Sequence, residues 1–203
     1  MILTIDGPAS SGKSTLALLV AREKEWSVLD SGLCYRLAGY LDHKDLLRST
    51  MGESLSALGI SFDGTTFMRD RRDISARLRT PQGDRRSSQI ARSKEVREML
   101  KSFFRDFSEN TPTDGLVAEG RDMGTVVFPH AEKKIYLVAD EAIREERRQK
   151  ERGEPDPHLL ERDRSDRERP LAPLRPAADA FLLDTTNLSA QEALQVALRV
   201  LDG

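Results

Sequence analysis

Apolar runs recur along the chain at residues 2–5, 26–29, 116–118, 135–138 and 180–183, and patterns of helical period separate most of them. Runs that are apolar on both faces and spaced by helices predict buried strands of a parallel sheet. The fold class read from the pattern is therefore α/β, a parallel five-stranded sheet flanked by helices. Two helices are marked clearly. After Lys13, Leu16, Leu19 and Val20 repeat at helical spacing, and Ser189 with Glu192 forms a capping box ahead of Leu194, Leu198 and Leu201.

The stretch between the second and third runs, residues 40–113, is too long for an ordinary crossover and is read as an insertion outside the sheet. Inside it, LGISFDGTTFMRD predicts a hairpin turning at Asp63 and Gly64, and SKEVREMLKSFFRDF predicts a helix. Residues 141–169 crowd charges of both signs, broken by Gly153, Pro155 and Pro157. Most of these charges are read as the solvated face of a helical pair laced by i,i+4 ion pairs.

A length of 203 residues bounds the chain to a single domain, 1–203, with room for one buried core. Charged residues make up 33% of it, yet the formal net charge is only -2, which argues against a nucleic-acid polymer as partner and makes any anion site local. A lone cysteine, Cys34, cannot close an internal disulfide, and the strand-like opening MILTI has no basic or long apolar segment; the reading is cytoplasmic, with no membrane association. His43, His130 and His158 lack metal-ligand spacing and are read as surface or packing residues.

Chemistry enters with TIDGPASSGKST. Gly7-x-x-x-x-Gly12-Lys13-Ser14 follows a buried-strand pattern and precedes an amphipathic helix, the context a phosphate-binding loop requires. Glycines let successive N–H groups curl inward, and the helix N-terminus adds partial positive charge. Residues Gly7, Pro8, Ala9, Ser10, Ser11, Gly12, Lys13, Ser14 and Thr15 are thus expected to bind a triphosphate, with Lys13 on its β- and γ-phosphates and the Ser14 hydroxyl on Mg²⁺; such a loop alone serves GTPases, motors, kinases and regulators alike. No N-K-x-D guanine-reading motif is present. Glu119, ending a central apolar run, is expected either to hold a metal-bound water or to cap or pair with a nearby arginine. Arg36, Arg121, Arg162, Arg164, Arg167 and Arg169 could offset the repulsion between two anionic reactants.

Together TIDGPASSGKST, LDSGLCYR, AEGRDMGTVVFP and RDRSDRERPLAPLRPAADAFLLDTTNLS resemble, in order and nearly end to end, the bacterial cytidylate kinases. DISARLRTP and SSQIARSKEVRE are similar to that family's monophosphate-binding region. The resemblance implies a P-loop kinase core with a monophosphate-binding insertion over residues 40–113 and a short lid over 150–169. It implies transfer of the γ-phosphoryl of ATP to CMP or dCMP with Mg²⁺ as Mg-ATP, by a monomer, with Lys13, Arg121, Arg162 and Arg169 as catalytic cations. Ser31, Arg36, Arg121 and Arg169 would hold the acceptor phosphate, with Tyr35 packing nearby. Arg162 and Asp166 would meet the sugar or the phosphates, and Ser88, Arg97 and Asp122 would read the base.

A carboxylate with an arginine complements the amino donor and ring acceptors of cytosine, whereas uracil would leave both mismatched. The bland alternatives are an ion pair with Arg121 for Asp122 and an exposed helix charge for Arg97. Two departures from the family pattern stand out: Glu119 in place of a more usual aspartate, and Gly83 in a short insertion, where looser closure over the monophosphate is expected. A kinase for UMP or a non-nucleotide acceptor, and a slow ATP-hydrolysing switch, are the rival readings.

Overall fold

The computed structural model describes residues 1–41 and 50–203, so the expectation for His43 falls outside the described residues. The strands are β1 (Ile2–Asp6), β2 (Ser27–Asp30), β3 (Ile60–Phe62), β4 (Phe67–Arg69), β5 (Arg72–Asp73), β6 (Leu116–Gly120), β7 (Lys133–Val138) and β8 (Phe181–Asp184). The described helices are α1 (Lys13–Lys24), α2 (Ser31–Tyr40), α3 (Met51–Ala57), α4 (Ser75–Leu78), α5 (Pro81–Ile90), α6 (Lys94–Glu109), α7 (Glu141–Arg152), α8 (Leu159–Glu168) and α9 (Ala190–Asp202). They fall into two units, Met1–Val28 with Pro112–Gly203, and Leu29–Thr111.

The larger unit is organised by the parallel sheet, in the order β2-β6-β1-β7-β8. Each strand coincides with one of the five apolar runs. Leu3 and Ile5 of β1, Val117 of β6, and Ile135 and Leu137 of β7 meet Leu16, Ala17 and Val20 of α1 and Leu194, Ala197 and Leu201 of α9. Full burial of side chains of this size stabilises by about 1.5–3 kcal/mol each, so this layer carries the unit. The capping box is formed as read: Ser189 Oγ accepts from Glu192 N–H, and the Glu192 carboxylate accepts from Ser189 N–H.

Strand register places the site. Ile5 lies opposite Glu119 and Asp6 opposite Gly120, so β1 and β6 end level with one another. The loop after β1 and the turn after β6 consequently emerge together at the carboxyl edge, where open parallel sheets place ligands. After β6 the chain makes a π-helical turn, Met123–Val127, which the sequence pattern did not anticipate.

The charged segment follows its reading for most residues and departs from it at Arg144, Arg148 and Asp163. It does form two helices, α7 and α8, and most of its charges face water. Arg144, Arg148, Asp163, Asp166 and Arg169, however, are buried, Arg144 and Asp163 to 1% exposure each. Their partners lie across the fold as well as along the helix, and that pairing makes their burial tolerable.

In the second unit, Asp30 caps α2 by accepting the Leu33 N–H at 2.8 Å, and β3-β4-β5 form a small antiparallel sheet. The hairpin turns at Asp63 as expected, its Oδ1 accepting the N–H groups of Thr65 and Thr66 at 2.8 and 2.7 Å. Phe62 stacks on Phe67 with ring centroids 4.3 Å apart, and Phe107 from α6 closes the cluster at 5.7 Å. The short β5 is an addition to the sequence reading. Gly83 sits in a tight contact: a Cβ there would come within 2.1 Å of the Leu78 carbonyl oxygen, so any larger residue would push α4 and α5 apart.

Candidate active site

Between β1 and α1 the backbone turns through Ser10 at φ 57° and Gly12 at φ 95°, the left-handed region that glycine enters at least cost. Gly12 is the N-cap of α1, and no side chain caps that end. The first amides of α1 therefore remain available to an anion, favoured by the helix dipole. Lys13 is buried, and its Nζ donates to the Pro8 carbonyl at 2.6 Å. Burial, with Arg121 acting in the same direction, pushes the Lys13 ammonium down to about 7, although Glu119 and Asp163 partly oppose them. A triphosphate beside it would supply the missing negative charge and restore the cation.

Ser14 Oγ donates to Glu119 Oε1 at 2.8 Å, across the aligned ends of β1 and β6. A hydroxyl and a carboxylate oxygen at hydrogen-bond distance are hard donors of the kind Mg²⁺ takes from a protein when phosphates and water complete its shell. Glu119 thus has the extra reach to contact Ser14 directly, so the residues present fit the metal.

Beside them runs a chain of alternating charges. Arg121 Nε donates to Asp166 Oδ2 at 3.1 Å, Arg169 Nη1 lies 3.7 Å from Asp166 Oδ1, and Arg169 Nη2 reaches Asp122 Oδ1 at 3.5 Å. Arg169 is further fixed by donating from Nε to the Ala172 carbonyl at 2.5 Å. Arg162, on the same helix as Asp166, is close enough to Lys13 for its charge to lower that ammonium. Lys13, Ser14, Glu119, Arg121, Asp122, Arg162, Asp166 and Arg169 are all residues of the larger unit.

Ser31, Tyr35, Arg36, Ser88 and Arg97 belong to the second. Ser31 is buried at the start of α2, and Arg36, one turn on, donates from Nε to Asp84 Oδ1 at 2.9 Å. Arg97, expected by the bland alternative to be an exposed helix charge, is buried, with its guanidinium 5.7 Å from the centre of the Tyr35 ring. That distance is within the range of a cation–π contact. Ser88 is half-buried on α5.

The cytidylate kinase family profile matches residues 3–202. The chain belongs to the cytidylate kinase family. It is accordingly a nucleoside monophosphate kinase. Among curated relatives, the cytidylate kinase of Dichelobacter nodosus is 42% identical, covering 96% of this chain and 93% of its own, and that of Bordetella bronchiseptica is 40% identical, covering 97% and 93%. The shikimate kinase of Bacteroides thetaiotaomicron superposes with a TM-score of 0.53 at 12% identity, over 100% of this chain and 99% of that one, a likeness of fold alone.

Within this cytidylate kinase core, reasoning from the sequence overlooked a clamp on the phosphate loop. Ala9 N–H donates to Asp163 Oδ1 at 2.9 Å, while Arg144 Nη1 donates to the Ala9 carbonyl at 3.1 Å and pairs with Asp163 Oδ2. Arg144 Nε also donates to the Ala139 carbonyl at 3.1 Å. Both polar groups of one loop residue are held by α7 and α8. The available signal was the charged segment itself, but nothing in its spacing separates Arg144 or Asp163 from neighbours that face water.

Proposed function

We propose that this enzyme transfers the γ-phosphoryl group of ATP to CMP or dCMP, giving ADP and CDP or dCDP. The observation that carries the reading is the continuous assembly of Lys13 and Ser14 with Glu119, beside the chain Arg121–Asp166–Arg169–Asp122. Phosphate-loop amides and Lys13 would grip the donor. Ser31, Arg36, Arg121 and Arg169, with Tyr35 packing nearby, would hold the acceptor phosphate. Arg162 and Asp166 would meet its sugar or the phosphates, and Ser88, Arg97 and Asp122 its base. The Arg36–Asp84 pair and the Tyr35–Arg97 contact support these roles by restraining long side chains before substrate arrives.

An acceptor phosphate oxygen attacks the γ-phosphorus in line; the new P–O bond forms as the bond to the β–γ bridging oxygen breaks, and ADP leaves with that electron pair. The second ionisation of a phosphate monoester has a pKa of about 6, so near neutrality the nucleophile is already an anion and needs no dedicated base. Lys13, Arg121, Arg162 and Arg169 are the catalytic cations that neutralise charge spread over the moving group. Ser14 and Glu119, the latter directly or through water, would hold Mg²⁺ with ATP, and the ion would supply further neutralisation on the phosphates.

Residues 40–113 serve as the monophosphate-binding insertion and 150–169 as a lid that excludes water, with Gly153 ending α7 at φ 80°. The enzyme is read as a cytoplasmic monomer acting on free nucleotides. Among the described residues, no helix is long and apolar enough to cross a membrane.

An ADP-release assay with CMP, dCMP, UMP or no acceptor tests the reading. Turnover that requires an acceptor and favours the cytosine nucleotides is expected. Equal turnover with UMP, or turnover without any acceptor, would overturn it.

A further inference from the structure

Asp6 is a buried carboxylate that the mechanism leaves unused. It ends β1, directly before Gly7, and is 4% exposed. Its Oδ1 accepts the Met123 N–H at 2.9 Å and its Oδ2 the Gly124 N–H at 2.7 Å. These amides open the π-helical turn that follows Asp122, whose own side chain gives that turn no cap.

The peptide joining Asp122 to Met123 is consequently bonded at both polar groups. Its N–H goes to Asp6, and its carbonyl accepts Val126 N–H at 2.9 Å. With that plane fixed, the Cα of Asp122 has little freedom, and its side chain, 3.5 Å from Arg169, is aimed by the backbone as much as by its partner. Thr4, two residues before Asp6 and so on the same face of β1, supports the turn from beneath. A Cβ on Gly124 would approach Thr4 Oγ1 to 2.7 Å and Asp6 Oδ2 to 3.4 Å, which leaves space for glycine alone.

We propose that Asp6 is a positioning residue for cytosine recognition: by accepting both amides it sets the backbone that presents Asp122 to the base. The inference rests on the reading of Asp122 as a base contact. Packing alone does not call for a carboxylate here. Burial foremost, with the Asp122 charge adding to it, pushes Asp6 up to about 6 against the two amide bonds and Lys13, so a neutral side chain would sit there at less cost. What asparagine lacks is the second acceptor, because its amide nitrogen would oppose one of the two N–H groups.

The test compares Asp6→Asn and Gly124→Ala with the wild type, measuring kcat and KM for CMP and UMP and KM for ATP, after a thermal melt shows which variants are folded. Gly124→Ala displaces the same turn by crowding it against Thr4 and Asp6, with the Asp6 carboxylate kept, and carries the test should Asp6→Asn fail to fold. A displaced Asp122 is expected to raise KM for CMP and to lower the CMP-over-UMP ratio of kcat/KM by roughly tenfold or more, with KM for ATP held within about twofold. Equal losses with both acceptors, the ratio intact, would reduce Asp6 to a structural support and overturn the inference. Asp122→Ala in the same panel separates the two layers. If it erodes the ratio and Asp6→Asn does not, Asp6 has no such role and the base reading survives; if it leaves the ratio unchanged, both fall.

Discussion

Replacing Asp163 by alanine removes a charge from a place where water cannot replace it. Asp163 and Arg144 are each about 1% exposed, and the Arg144 guanidinium also serves the carbonyls of Ala9 and Ala139. In Asp163→Ala that guanidinium stays buried without its counter-charge, a loss of about 3–5 kcal/mol. Ala9 N–H also loses its acceptor, an effect of about 1–3 kcal/mol that overlaps the first. Taking about 4–5 kcal/mol in all, and about 2–4 °C per kcal/mol for a domain of this length, Tm should fall by roughly 8–20 °C. Thermal and urea melts followed by circular dichroism measure it. Because burial of one unpaired charge dominates, Asp163→Leu combined with Arg144→Met should be more stable than Asp163→Ala alone. The folded fraction should show KM for ATP raised more than KM for CMP, since the clamp holds the donor loop. A loss below about 1 kcal/mol, or a double variant at the sum of its single changes, would refute the reasoning.

Lys13→Ala should lower kcat by about a hundredfold to a thousandfold with CMP, dCMP and UMP alike, because it removes charge from the donor side; steady-state kinetics with each acceptor check it. Glu119→Gln should raise the Mg²⁺ concentration for half-maximal rate by about 10–100-fold, read from a metal titration, and chelation of free metal should abolish turnover of both proteins. A pH series reports Asp6. Its folded pKa of about 6 stands above the ordinary 3.8, so the folded state binds the proton more tightly and stability falls as pH rises through that window. Relative to Asp6→Asn, the wild type should lose about 3 kcal/mol between pH 3.5 and pH 7.5, measured by urea melts; a flat difference would show that burial does not govern this group.

Much of the fold was legible because its signals are local. Five apolar runs became the five parallel strands, Asp63 formed the hairpin turn through its own carboxylate, and Ser189 with Glu192 closed the box expected of them. The phosphate loop was legible for the same reason, since glycine spacing and a following helix act within a dozen residues. Arg144, Arg148 and Asp163 were misread as solvated within a segment whose helical pair was read correctly. Charges at i and i+4 look the same whether the second partner is water or a strand end; Arg144 meets Asp163 across 19 residues of sequence, and Asp163 meets Ala9 across 154. Asp6 escaped notice because an aspartate before a glycine reads as loop chemistry, and the amides it serves lie more than a hundred residues further along the chain.

The order of the amino acids by itself determined which segments are strands and helices, where an anion can dock on bare amides, and which family of enzymes the chain resembles, all through contacts between near neighbours. Tertiary structure alone decided which charges are withdrawn from water and what they then hold: Ala9 between Arg144 and Asp163, Ser14 against Glu119, and Asp122 on a backbone tied to Asp6. The reason is desolvation. A charged group's energy depends on every atom that displaces water around it, and those atoms are brought there by the whole fold.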